Sequence, residues 1–331
     1  MVLQISANAV RALVAATALA LATTVAAPAA AAVPGQFIVS AAPEPMARIH
    51  IKNADLTVRI ALGFDKALLL NLPAATRAEL RAFPLIGKQT FKSRLLPGGE
   101  STVRGNIYDV AVAGLPDTTV PTLWFDRTLT EDSDGVISAL AIPGDSVVVT
   151  LPAAPPGGMI YTITRTGKGD AAMRAVIGGT KVNVILDLRS PETIFNGSAA
   201  RLLETAGLVR RAGTVGLWRP FPGVALPFER LIPTPGAVLL GLPLIAPAAR
   251  VTEVRARELD AKAKAGTSTA DQDEDAITVT ANAAHKPSAP WILIGRDVLG
   301  HCSRIELDRP GQRWVLTCAF ASGVGHPISG R

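Results

Sequence analysis

The chain has 331 residues, 33 Lys and Arg against 27 Asp and Glu, a formal charge of +6, and 48% apolar residues. That apolar fraction builds a core and excludes a wholly disordered chain. Two cysteines exclude a disulfide-dense miniprotein or a four-cysteine zinc module. No basic run exceeds Arg210-Arg211 and aromatics are 5%, which speaks against a nucleic-acid surface of clustered cations and stacking rings.

Arg11 is the only charged residue before Glu44, and an Ala-rich apolar run follows it. Pro28 and the small residues Ala29–Ala32 complete the pattern of a secretory signal peptide over residues 1–32. The competing reading is a retained anchor. The Ala-rich style points to export into a bacterial periplasm. After signal removal no stretch reads as a membrane span.

Short apolar runs bounded by Gly and Pro follow, the pattern of a mainly β chain. Strands are expected at 37–39, 49–52, 56–62 and 67–70, then a short helix from Ala75 to Phe83. Further strands fall at Thr102–Val112, Val120–Phe125 and Ser146–Leu151. Composition marks 153–158 as a linker between an N-terminal lobe (36–152) and a C-terminal lobe (159–322).

The second half starts over with strands at Ile160–Arg165, Met173–Ile177 and Lys181–Asp187. A helix over Ala199–Ala206 takes Asn196 or Ser198 as N-cap and closes at Gly207. Residues 252–289 are rich in Ala, Lys, Asp, Glu, Ser and Thr and read as a flexible insertion. Within it, Asp275–Ala281 resembles the segment by which outer-membrane receptors add a strand to the TonB energy protein, so the insertion is a candidate contact for a protein partner. The competing reading is a solvated loop.

An oxidising compartment permits a disulfide. A hairpin mirrored about Pro310 sets Cys302 opposite Cys318, unless the register slips by one residue. The alternative is two buried thiols. His50, His285, His301 and His326 show no ligand spacing, so no metal or other cofactor is expected. Ser190 and Ser198 lack a neighbouring His for a hydrolytic triad.

Two segments carry a family likeness. Val184-Ile185-Leu186-Asp187-Leu188-Arg189-Ser190 is an apolar strand running into a polar turn. Ile292-Leu293-Ile294-Gly295-Arg296-Asp297-Val298-Leu299 is an apolar strand with a Gly-x-Asp element. Fainter versions in the first half are Leu69-Leu70-Asn71-Leu72-Pro73-Ala74 and Asp134-Gly135-Val136-Ile137-Ser138. The set resembles the aspartic proteases of the retropepsin and pepsin kind.

That resemblance implies a duplicated, two-lobed β-barrel architecture with a few short helices and a peptide or protein ligand in the inter-lobe cleft. In the family, two carboxylates share one proton, one as base and one as acid. Here Asp187 matches one, and the partner position falls on Asn71, which cannot titrate. Leu72 and Leu188 replace the motif hydroxyls, and Pro73 and Arg189 replace its glycines. Ala74 and Ser190 still fit the fourth position. Gly295 and Asp297 match the element that is structural in the family.

Three readings follow: a catalytically silent binding or scaffolding module, an active endopeptidase pairing Asp187 with another carboxylate (Asp134 and Asp297 being candidates), or an unrelated envelope component without a shared cleft.

Overall fold

The computed structural model describes residues 35–84, 87–92, 99–155, 158–265 and 289–320, all within one compact unit. The expected signal peptide, the Asp275–Ala281 run and part of the 153–158 linker lie outside them.

The first half runs β1 (Gln36–Ser40), β2 (Met46–Ile51), β3 (Ala54–Ala61), β4 (Leu68–Asn71), helix α1 (Leu72–Arg77), β5 (Lys88–Lys92), β6 (Glu100–Val112), β7 (Thr118–Phe125), β8 (Gly135–Ser138) and β9 (Ser146–Thr150). The second runs β10 (Met159–Thr164), β11 (Met173–Ile177), β12 (Thr180–Leu186), β13 (Thr193–Phe195), α2 (Gly197–Thr205), β14 (Val209–Phe221), β15 (Val224–Pro233), β16 (Val238–Leu239), β17 (Leu242–Pro243) and β18 (Pro247–Arg250). It ends with α3 (Glu253–Lys264), β19 (Trp291–Ile294), α4 (Arg296–Leu299), β20 (Cys302–Asp308) and β21 (Arg313–Cys318). The protein is mainly β, with a few short helices, as expected.

Period-two alternation explains the sheets. In β3, Leu56, Val58 and Ile60 point into the core while Asp55 and Thr57 face out. In β11, Met173, Ala175 and Ile177 are buried and Arg174 and Val176 exposed. The first seven-stranded sheet has the order β2-β3-β8-β4-β7-β6-β5. Pairing of Ile49 with Val112 and His50 with Ala111 closes six of these strands into a barrel. Closure removes the open edges.

The second seven-stranded sheet has the order β11-β12-β19-β13-β18-β15-β14. Step by step its strand senses repeat those of the first: antiparallel, parallel, antiparallel, parallel, antiparallel, antiparallel. A third sheet, β1-β9-β20-β21-β10, draws strands from both ends of the chain.

Cys302 and Cys318 are bonded, as the hairpin predicts. The ladder pairs Asp308 with Arg313 and Ile305 with Leu316, one residue off the mirror about Pro310. A bulge between Cys302 and Arg304 restores the cysteines to opposite positions.

Two expectations need correction. The first helix spans Leu72–Arg77, not Ala75–Phe83, because Pro73 fits the first helical turn, where its missing N–H costs nothing. Residues 252–289 are not a loop throughout. Thr252 caps α3 through its side chain, Glu253 and the pair Lys262 and Lys264 suit the two ends, and Leu259 is fully buried.

Candidate functional site

β12 buries Val182, Val184 and Leu186 and then ends, leaving Asp187 at the tip. The Asp187 N–H donates to Ile294 O at 3.0 Å, anchoring the tip to β19. The Arg189 N–H donates to Asp187 Oδ1 at 2.9 Å, which tightens the turn, and the Arg189 guanidinium lies 3.4 Å from the same oxygen.

The ladders identify which residue of the first sheet matches Asp187. Asn71 and Asn196 both occupy the N-cap between a strand and a helix. Leu68, three residues before Asn71, pairs with Ile137, which pairs with Ile60 of β3. Thr193, three residues before Asn196, falls one ladder step beyond the Ile194–Leu293 pair, at Ile294, which pairs with Leu186 of β12. Ile60 therefore matches Leu186, and Ala61-Leu62-Gly63 matches Asp187-Leu188-Arg189.

The match of Asn71 to Asp187 is thereby corrected. Asn71 is a brace. Its Nδ2 donates to Thr130 O and Ser133 O, both at 2.9 Å, and its Oδ1 accepts from Leu129 N at 2.7 Å. Asn196 does the same in its sheet, donating to Ala289 O at 2.9 Å and accepting from Ala199 N and Trp291 N. Leu72 and Pro73 sit in the first turn of α1, away from the tip. The sequence did hold a signal: an Asn opening a helix follows Ala61 by ten residues and Asp187 by nine.

The two tips meet. A Cβ on Gly63 would stand 2.7 Å from Leu186 O, so the close approach of the β3 turn to the end of β12 requires glycine. Between the tips is a small pocket of about 10 Å³, room for about one water molecule. Arg59, Ile60, Ala61 and Leu62 line one wall; Asp187, Leu188 and Arg189 line the other.

Glu44 also lines it, and sequence reasoning missed this residue. It stands between Pro43 and Pro45 on a short loop tied at both ends, by Ala41 N–H to Thr150 O and by Ile60 N–H to Pro45 O, each 2.8 Å. Two flanking prolines around a lone acid were its only local mark.

Charges crowd the pocket. Arg59 Nε lies 3.1 Å from Glu44 Oε2. Arg296 Nη2 lies 3.9 Å from Glu44 Oε1 and donates to Pro43 O at 3.0 Å. Burial raises the Glu44 carboxyl above its ordinary value, outweighing the attraction of Arg59, Arg296 and Arg189, while Asp187 adds to the rise. The Arg189 guanidinium lies 5.7 Å from the ring of Phe221, at the tip of the β14–β15 hairpin.

The remaining candidates hold the turn rather than enter the pocket. Asp297 accepts from Thr193 Oγ1 at 2.8 Å and Ala246 N at 3.0 Å, and burial raises its carboxyl. A Cβ on Gly295 would lie 2.3 Å from Glu192 O. Ser190 Oγ donates to Glu192 O, and Ser190 O accepts from Arg296 N. Asp134 pairs with Arg77 and accepts from Thr57 N.

Among the described residues no group of three His, Cys, Asp or Glu could hold a metal, and no helix is long and apolar enough to cross a membrane. The chain matches no protein-family model and no curated protein.

Proposed function

We propose that the chain is an exported, two-lobed relative of the aspartic proteases that has lost the hydrolytic pair and serves as a binding or scaffolding module. The observation that carries this is Ala61 at the position matching Asp187. Hydrolysis of that kind needs two carboxylates sharing a proton, and a methyl group neither takes nor gives one. The repeated strand order supports descent of lobes 36–152 and 159–322 from one duplicated plan. The disulfide supports an oxidising compartment such as the periplasm.

A second reading, an active endopeptidase, has one observation in its favour: Glu44 puts another carboxylate in the Asp187 pocket. Against it stand the guanidiniums of Arg59 and Arg189, each within ion-pair distance of one of these acids.

Incubation of the purified protein with an unfolded substrate at acid pH separates the two. We expect the substrate to remain intact. Pepstatin-sensitive cleavage that disappears in both Asp187→Ala and Glu44→Gln would establish the second reading instead.

A further inference from the structure

We propose that β10 is a dimerisation strand: the chain pairs with a second copy of itself, edge to edge through Met159–Thr164, about a twofold axis at Tyr161. The inference goes beyond the binding-module reading and does not depend on it.

β10 is a terminal strand of the third sheet, with β21 on one side. Among the described residues its other side meets a strand only just beyond Thr164, at the Arg165–Met173 bridge. The Arg165 N–H donates to Gln312 O at 2.9 Å, in register with the Thr164–Arg313 pair. Alternation along an antiparallel ladder then turns the backbone groups of Met159, Tyr161 and Ile163 toward β21. Those of Ile160 and Thr162 turn to the open side.

Folded chains blunt open edges with charge, proline, a bulge or a cover. β5 starts and ends in lysine, and β11 carries Arg174. β14 carries Arg210 and Arg219, has an irregular register after Arg211, and has helix α3 against it. β1 is shorter, and the chain doubles back at its end through the Ala41–Pro45 bridge. β10 has none of these devices. Met159-Ile160-Tyr161-Thr162-Ile163-Thr164 is uncharged and strand-forming, with Met159 50% and Ile160 68% exposed.

Symmetry selects a second copy as the occupant. With Tyr161 on the axis, Ile160 of each copy stands opposite Thr162 of the other. Each such pair exchanges two hydrogen bonds, so the free groups of both residues are satisfied and the pairing closes at two copies. Met159 of one copy then lies beside Ile163 of the other. The chain's own residues 321–331 start next to this edge, since Phe320 packs on the Tyr161 ring with centroids 5.8 Å apart. Gly323, Gly325 and Pro327 make that segment a poor strand former, which disfavours it as the occupant. A seam this short falls below the roughly 1,200 Å² of stable interfaces, so the dimer is reversible, with a Kd of about 1–100 µM.

The test is sedimentation velocity of the purified exported protein across that concentration range. We expect a concentration-dependent equilibrium of monomer and dimer. Ile160→Lys puts a charge on the seam, and Thr162→Pro removes an outward N–H while leaving the β21 ladder its bonds. Each should weaken the dimer by about tenfold or more, with circular dichroism showing a native fold. Ile38→Lys on β1 and removal of residues 321–331 should leave the dimer unchanged.

A monomer throughout, or a dimer indifferent to both β10 variants, would overturn the proposal. So would loss of the dimer in Ile38→Lys alone, or growth into longer oligomers, the sign of β10 meeting β1 head to tail. A dimer that forms only after removal of 321–331 would make that segment the occupant instead.

Discussion

Arg296 ties the Asp187 turn to the Glu44 loop: its Nε donates to Leu188 O at 2.9 Å and its Nη2 to Pro43 O at 3.0 Å. Arg296 is 253 residues from Pro43 and 108 from Leu188 in the chain, so one side chain from α4 holds the two segments at a fixed spacing. Arg296→Met keeps the stem and removes both bonds. We expect a loss of about 1–3 kcal/mol, read from urea unfolding. No change in midpoint would show that the pocket is held by other means.

Asn71→Asp separates the brace from a catalytic position. The substitution replaces an Nδ2 that donates to Thr130 O and Ser133 O with an oxygen facing the same carbonyls. The protein should lose about 1–3 kcal/mol at neutral pH and should gain no proteolytic activity. Restored cleavage would reinstate Asn71 as the partner of Asp187.

The pH dependence of stability reports on Glu44. Its carboxyl is raised above 4.5 in the fold, chiefly by burial. As pH climbs past that value the unfolded chain releases this proton first. The stabilisation is therefore complete below about 4.5 and is lost as pH rises through the folded-state value. Arg59, Arg189, Arg296 and Asp187, which face Glu44, are present in both the parent chain and Glu44→Gln. The variant should lack this contribution, so the stability difference between the two should shift in favour of Glu44→Gln as pH rises and then level off. A shift in the opposite direction would mean that the ion pairs outweigh burial.

Much of the fold was legible, and the misreadings have physical causes. Alternating strands such as β3 and β11 bury one face, so their patterns stand out. The β19 segment was recognisable because Gly295 is sterically required and Asp297 is needed to hold Thr193 and Ala246. Asn71 misled because Leu68-Leu69-Leu70 reads as a buried strand ending in a polar turn, which is what the motif also is. One additional residue between tip and Asn in the first half obscured the true match. Helix α3 was hidden because Leu259 is its only fully buried side chain, which leaves no apolar stripe to find. Glu44 could not be placed because its partners come from β3, the β12 turn and α4.

The Cys302–Cys318 bond closes the hairpin that completes the third sheet. Unreduced protein should show no titratable thiol at these positions. Replacing both cysteines by serine should cost about 3 kcal/mol for a loop of this size, with a sequence separation of 16. Two free thiols by titration would contradict the pairing.

That third sheet also sets a timetable. β9 is flanked by β1, near the start of the described residues, and by β20, near their end. A ribosome has translated nearly all of these residues before β20 can dock, and contacts between such distant segments are slow to form. The first barrel is complete within residues 46–138, whereas this sheet cannot be completed until the final hairpin has been made.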